Sequence, residues 1–309
     1  MTRTIVMDLP NGMASSLAIA LDALGTANAI RRRAGRAEPF ALRRLRITRA
    51  TSFRFRAGDV VIVPGLYAET ASELLQRLQS PPVQRAVRLV RNARAAGATI
   101  AASCGGTFIV AEAGLLKGRR ATTTWWLASD FRRRFPDVEL VTEQIVVADW
   151  PVATAGAAMA QMDLMLAVIA RFAGTRVSEA CAQYLLLDHR KSQAPYMAVT
   201  FLAGQDPRIA RAESWIRQNI ARKITISQLA AAAGMTPRTF ARRLKAVCDL
   251  SPVRFAQRIR SEVARTLFET TTLSVDEISR RVGYAEPSTL RRLLRRDLSQ
   301  PPSRLRRAA

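Results

Sequence analysis

The chain has 309 residues, enough for two domains with at least one sizeable core, and 49% of them are apolar, as in an ordinary soluble globular protein. Its longest apolar stretch, 152–172, is broken by Gln161 and Asp163, which argues against a transmembrane span and against a membrane partner. The formal charge of +24 favours a polyanionic partner, since Arg and Lys displace counterions from phosphate. Lysine stands only at Lys117, Lys191, Lys223 and Lys245, so the charge is nearly all Arg, and a compositional bias toward Arg and Ala would give it too. The opening residues 1–8 lack the apolar core of a secretory signal. Cys104, Cys181 and Cys248 are odd in number and have no metal-ligand spacing, which predicts reduced thiols in a cytoplasm and no metal site.

Residues 1–190 alternate short apolar runs with helical stretches. Ile5-Val6-Met7, Val60-Val61-Ile62-Val63 and Thr99-Ile100-Ala101-Ala102 are bounded by Pro, Gly or charge and read as buried parallel strands. Helices are expected at 16–30, 83–96 and 107–113. The pattern predicts an open, mostly parallel α/β sheet with helices on both faces. Within it, Ala101-Ala102-Ser103-Cys104-Gly105-Gly106-Thr107 runs from strand to helix through small residues. That is the form of a nucleophile elbow, a tight turn that lifts one side chain above the sheet edge. A linker is expected at 191–207, where Ser192, Pro195, Gly204 and Pro207 supply turn-formers.

The remainder, 208–309, contains an internal repeat. Thr225-Ile226-Ser227-Gln228-Leu229 through Gly234 parallels Ser274-Val275-Asp276-Glu277-Ile278 through Gly283. Each begins with a hydroxyl residue that can cap a helix, and Ser274 with Glu277 forms a capping box. Leu229 and Ala233, like Ile278 and Val282, lie four apart on one buried stripe. Gly234 and Gly283 end each helix where a positive φ is easily adopted. A second helix follows each glycine, opened by Thr236-Pro237 or by Pro287, with Phe240 and Leu244 or Leu290 and Leu294 inward. The opposite faces carry Arg238, Ala241, Arg242 and Lys245, and Ser288, Arg291, Arg292 and Arg295. This predicts an all-α domain with two helix-turn-helix units, whose second helices enter the major groove of double-stranded DNA. Between them Ser251-Pro252 starts an amphipathic spacer with Phe255, Ile259, Val263 and Leu267 every four residues. About 15 residues give roughly 22 Å, a separation that can set two reading helices near one DNA turn of ~34 Å. Residues 205–309 carry a net +13 and the rest +11, so the excess per residue is about twice as large in the shorter part.

With these residues in view, the stretch 207–307 resembles the AraC/XylS DNA-binding domain. Arg280-Arg281-Val282-Gly283-Tyr284, Pro287-Ser288-Thr289-Leu290 and Leu298-Ser299-Gln300-Pro301-Pro302-Ser303 fall in that family's most recognisable pattern. Leu290 and Leu294 stand where Phe is usual, which keeps the core apolar. The amino-terminal elbow, followed by 111–120, Ala121-Thr122-Thr123-Thr124-Trp125, Ala153-Thr154-Ala155-Gly156 and Asp163, resembles the PfpI-like, class I glutamine-amidotransferase-like domain of the GlxA- and FtrA-like subgroup.

The resemblance implies a sequence-specific transcription regulator with no cofactor. Its implied partners are double-stranded DNA, a small-molecule effector, a second copy of the chain and RNA polymerase. It places Arg238, Ala241 and Arg242, and Ser288, Thr289 and Arg292, at base-reading positions, with Lys245 and Arg295 on phosphate. Enzymes with this elbow use a histidine beside the cysteine. The position where the subgroup carries one is Thr124, and its acidic residue in the first helix aligns with Asn28. The sole histidine of the chain, His189, is expected at the surface or in the linker. Cys104, Gly105, Thr124 and Asn28 are therefore expected to line a noncatalytic effector pocket at the carboxyl ends of the strands, where the following helix start favours a carboxylate. Three readings stay open beside this one: Cys104 as an inert relic of the turn, Cys104 as a redox sensor, and a Cys-dependent amidase or hydrolase fused to a DNA-binding module. An architectural DNA binder with no effector is a further alternative.

Overall fold

A computed structural model describes residues 1–188, 190, 192–298 and 302–305. His189 and residues 299–301 of the carboxy-terminal motif lie outside the described residues. The chain divides into two compact units, Met1–Gln193 and Ala194–Ala309.

The first unit runs β1 (Thr2–Asp8), α1 (Ala14–Arg33), β2 (Phe40–Arg46), β3 (Val60–Val63), α2 (Ala71–Leu78), α3 (Pro81–Ala95), β4 (Thr99–Ser103) and α4 (Gly106–Glu112). It continues with β5 (Arg120–Ala121), α5 (Ala128–Arg134), β6 (Glu139–Leu140), β7 (Val146–Asp149), β8 (Val152–Ala155), α6 (Ala160–Ala173) and α7 (Thr175–Tyr184). Six strands form one sheet in the order β2-β1-β3-β4-β8-β7, while β5 and β6 pair apart from it. All pairs in the large sheet are parallel except β7 with β8.

The three apolar runs read as strands are β1, β3 and β4, at the centre of this sheet. Because strand side chains alternate faces, each run feeds two cores. Ile5, Met7, Val61, Val63, Ile100 and Ala102 pack with Leu74, Val87, Val90, Phe108 and Phe131 on one face. Val6, Val60, Ile62, Ala101 and Ala153 pack with Ala20, Leu24, Leu164 and Val168 on the other. The edge strand β2 carries exposed Arg43, Arg44 and Arg46, charges that discourage pairing with a further strand.

The second unit is helical: α8 (Val199–Gly204), α9 (Pro207–Gln218), α10 (Ile226–Ala232), α11 (Pro237–Cys248), α12 (Pro252–Thr270), α13 (Val275–Arg281), α14 (Pro287–Leu298) and α15 (Pro302–Leu305). Residues 194–204, expected in a linker, instead belong to this unit, with Ala194, Val199, Leu202 and Ala203 buried in it. Helix α10 opens on a capping box between Thr225 and Gln228, matching that of Ser274 and Glu277 at α13. Gly234 and Gly283 have φ of 64° and 81°. The spacer α12 spans 19 residues, about 28 Å, four residues longer than the sequence pattern suggests. Its buried stripe begins with Phe255 and Ile259 and shifts to Ala264 and Phe268, because a strict four-residue repeat drifts around a helix of 3.6 residues per turn. Phe268 joins Ile278, Val282, Leu290 and Leu294 in the core of the second helix-turn-helix.

Candidate functional site

The amino-terminal site is organised by Cys104, which leaves β4 in the left-handed region with φ of 51°. Its amide donates to the carbonyls of Ala155 at 3.1 Å and Gly156 at 2.9 Å, so the end of β8 holds the turn. The two residues after it must lack side chains. A Cβ on Gly105 would stand 2.4 Å from the Leu66 carbonyl oxygen, and one on Gly106 2.4 Å from that of Pro64. The small-residue run in the sequence is thus a steric requirement of the elbow.

Cys104 is buried, and burial pushes its thiol up. The amides of Gly105 and Ala158 and the Thr124 hydroxyl pull the other way without overcoming burial. Thr124 is fully buried beside the thiol, near enough to favour its thiolate, but its hydroxyl has no well-directed hydrogen-bond partner. Thr123 donates its hydroxyl to the Cys104 carbonyl at 2.9 Å. The hydroxyls of Ser16, Ser103 and Thr107 are likewise buried and unpartnered. Met13, Ser16 and Cys104 converge on the space a Gly65 side chain would fill. Met13 also lines an open cavity of about 410 Å³ shared with Asn11, Ser15, Tyr67 and Arg77.

Of the four pocket residues expected from sequence, three come together: Cys104, Gly105 and Thr124. Asn28 does not join them. Its side chain donates to the Phe40 carbonyl at 2.7 Å and accepts from the Phe40 amide at 3.0 Å. Phe40 starts β2, at the amino ends of the parallel strands, whereas Cys104 follows the carboxyl end of β4. Asn28 therefore pins β2 to α1, and the first-helix residue near the elbow is Ser16. Helix α4 has only seven residues, and the carbonyl oxygens of Leu66, Pro64 and Val63 lie against the side-chain positions of Gly105 and Gly106.

Gln193, placed in the linker by sequence, is a component of this site. Its side chain is buried and donates to the carbonyls of Thr142 at 2.7 Å and Thr123 at 3.0 Å, and to the Thr122 hydroxyl at 3.3 Å. Its carbonyl oxygen accepts from the Ala157 amide at 3.1 Å. A Cβ on Gly156 would stand 2.2 Å from that oxygen, so a side chain there would displace the Gln193 amide. No periodicity or motif around Gln193 announces this role. Among the described residues no group of His, Cys, Asp and Glu could hold a metal, and no helix is long and apolar enough to cross a membrane.

In the carboxy-terminal unit, α11 and α14 present the expected surfaces. Arg238 and Arg242 on α11, and Ser288, Arg291 and Arg292 on α14, are exposed, while Ala241 and Thr289 are half-buried. The four arginines make no ion pair among the described residues. Arg295 is exposed as well, but Lys245 is held by Asp249 at 2.6 Å and reaches a phosphate only by exchanging that partner. Arg243, on the same helix as Arg242, is tied to Asp206. The two free arginine sets are thus on the helices that follow the glycine turns, each backed by a fully buried pair, Phe240 with Leu244 and Leu290 with Leu294. Such a helix offers bidentate donors to guanine in the major groove.

A helix-turn-helix domain model matches residues 229–308, and the DJ-1/PfpI family model matches residues 54–171. The chain is an AraC-type transcription regulator with a DJ-1/PfpI domain. The HTH-type transcriptional regulator CdhR of Pseudomonas aeruginosa is 28% identical over 77% of this chain and 70% of its own length. ArgR of the same organism is 27% identical over 61% of this chain and 58% of its own. GlxA of Rhizobium meliloti is 29% identical over 68% of this chain and 66% of its own. All three are named as HTH-type transcriptional regulators, and each alignment leaves part of the relative unmatched.

Proposed function

We propose that the DJ-1/PfpI domain of this regulator senses a small polar effector and catalyses nothing. The observation that carries this reading is the state of Cys104. A nucleophilic thiol needs a neighbouring base or a lowered pKa. Here burial pushes the thiol up, and the side chain beside it is Thr124, which cannot accept its proton at neutral pH. Unpartnered buried hydroxyls at Ser16, Ser103, Thr107 and Thr124 favour a ligand with hydrogen-bonding groups, entering past Met13 from the adjacent cavity. Effector binding alters transcription by preferring one arrangement of the protein over another.

In this reading Arg238, Ala241, Arg242, Ser288, Thr289 and Arg292 read bases, and Arg295 and the released Lys245 hold phosphate. The regulator works in the cytoplasm as a homodimer through its amino-terminal domain, so that two tandem readers lengthen the site, and it acts with RNA polymerase. The test uses the full chain and a duplex it selects from a random pool. Binding should weaken steeply with salt, and Cys104→Ser should leave affinity without effector within twofold. Amide or ester hydrolysis that disappears in Cys104→Ser would replace sensing by catalysis. A monomer at micromolar concentration in ultracentrifugation, with and without DNA, would remove the dimer.

A further inference from the structure

The chain leaves its first unit at Gln193 and enters its second at Ala194, both residues are buried, and the Gln193 side chain and the Ala194 carbonyl each bond to partners of their own unit. In the first, the Gln193 side chain ties together residues 122–123, 142 and 157, and Thr123 in turn holds the Cys104 carbonyl. In the second, the Ala194 carbonyl accepts from the Arg258 guanidinium, which is buried on α12. The same guanidinium donates to the backbone carbonyl of Asp297 at 2.8 Å, near the end of the reading helix α14. The Asp297 carboxylate is itself fixed by Ser261 at 2.9 Å and Arg254 at 3.3 Å.

We propose that the Gln193–Ala194 peptide is the tether through which the elbow acts on the second reading helix. This rests on the sensing function proposed above and names its route. Successive Cα atoms are a fixed ~3.8 Å apart, so two adjacent anchored residues have no slack between them. A ligand that shifts Thr123 or Gly156 displaces Gln193. The displacement then reaches Ala194 and loosens Arg258 from the end of α14. Gln193 and Arg258 are positioning residues: neither needs to touch effector or DNA. A purely structural Gln193 would stabilise the first unit and leave DNA affinity alone.

The test compares the full-length chain with a version carrying two extra glycines between Gln193 and Ala194. These add about 7 Å of slack and leave both anchors intact. Gly156→Ala drives a methyl into the Gln193 amide and so imitates displacement without any effector. On a duplex selected by the wild-type chain, Gly156→Ala should change Kd at least threefold in the native chain and less than 1.5-fold in the extended chain. An equal change in both chains, or none in either, overturns the tether. Should Gly156→Ala not fold, hydrogen exchange of wild-type peptides spanning 104–108 and 122–124 replaces it. Linkage is reciprocal, so bound duplex should alter their exchange at least threefold, and the glycine insertion should abolish that response. Exchange unchanged by bound duplex, or changed equally in the extended chain, also overturns it. A wild-type chain that selects no duplex would instead defeat the regulator reading itself.

Discussion

Thr123 donates its hydroxyl to the Cys104 carbonyl at 2.9 Å, while the next residue, Thr124, sets an unpartnered hydroxyl beside the same residue's thiol. One threonine fixes the elbow's backbone and the other occupies the place from which a base would act. On the sensing reading proposed above, the pair keeps the turn of a nucleophile without a nucleophile's chemistry. The strain of the left-handed cysteine is held by the bonds its amide donates to Ala155 and Gly156 and by the one its carbonyl accepts from Thr123, independent of any proton transfer.

Thiol reactivity follows from this. Burial pushes Cys104 up, Cys181 to about 11 and Cys248 to about 12. At pH 7.5 each thiolate fraction lies below that of a free thiol, and the sulfurs are also shielded. Alkylation of the native chain by iodoacetamide should run at least about tenfold slower than in urea. The linkage has a definite sign. A thiol whose folded pKa is raised contributes stability that is present below its unfolded value of about 8.5 and lost as pH rises toward the folded value. Urea midpoints should therefore fall above pH 8.5. Rapid labelling of Cys104 at pH 7 would show an activated thiolate and contradict the noncatalytic reading.

The elbow's glycines give a second expectation. Gly105→Ala and Gly106→Ala each force a methyl against a backbone carbonyl that cannot rotate away. Overpacking of this kind costs about 1–3 kcal/mol. Gly114→Ala meets no atom within 4 Å, but its φ of 79° imposes conformational strain of its own, commonly near 1 kcal/mol. Denaturant unfolding should rank Gly105→Ala and Gly106→Ala as the more damaging. Equal losses at all three positions would mean that backbone conformation, not contact, dominates.

Much of this was legible in the sequence because it is written locally. The central strands β1, β3 and β4 are continuous apolar runs, and caps with glycine stops frame both helix-turn-helix units. Cys104 announces its turn through the small residues around it. Strand β2 was not legible, since Arg43, Arg44 and Arg46 suit an edge strand but imitate a solvated loop. The placement of Asn28 rests on alignment with the subgroup's acidic first-helix residue, and alignment along a helix does not fix which end of the sheet a residue meets; its amide meets Phe40 instead. Gln193 was invisible because its partners lie 36 to 71 residues away in the chain.

The exposed arginines on α11 and α14, the helices proposed to read bases, carry the sharpest DNA prediction. Arg242→Ala and Arg292→Ala should each weaken binding to the selected duplex by ~1–3 kcal/mol and relax preference at one base position. Lys245→Ala should act differently. Its ammonium already neutralises Asp249, so its loss should lower affinity for all sequences alike and modestly. Competition against duplexes changed at single positions separates the two behaviours. A uniform loss for Arg292→Ala would reassign that residue to phosphate.

The last prediction concerns Asp206, which accepts from the amides of Arg208 and Ile209 at the start of α9 and pairs with Arg243 on α11. Burial alone would raise its pKa, but the Arg243 hydrogen bond and the two amides outweigh burial and hold the carboxyl below its ordinary value. A depressed carboxyl contributes stability that is present above its unfolded pKa, about 3.9, and is lost as pH falls through the folded value. Asp206→Asn keeps an oxygen to cap α9 and removes only the charge. It should therefore lower the urea midpoint at pH 7, with a smaller further loss than wild type between pH 4 and pH 2. Asp206→Ala also removes the cap, adding about 1 kcal/mol at pH 7. Because Arg243 neighbours Arg242, Asp206→Asn also frees a cation on a reading helix, and DNA affinity at low salt should rise or hold while stability drops. Far-UV circular dichroism in urea and binding titrations on the same preparations measure both. If the substitution left stability unchanged at pH 7, the Asp206–Arg243 pair would have no role in joining α9 to α11.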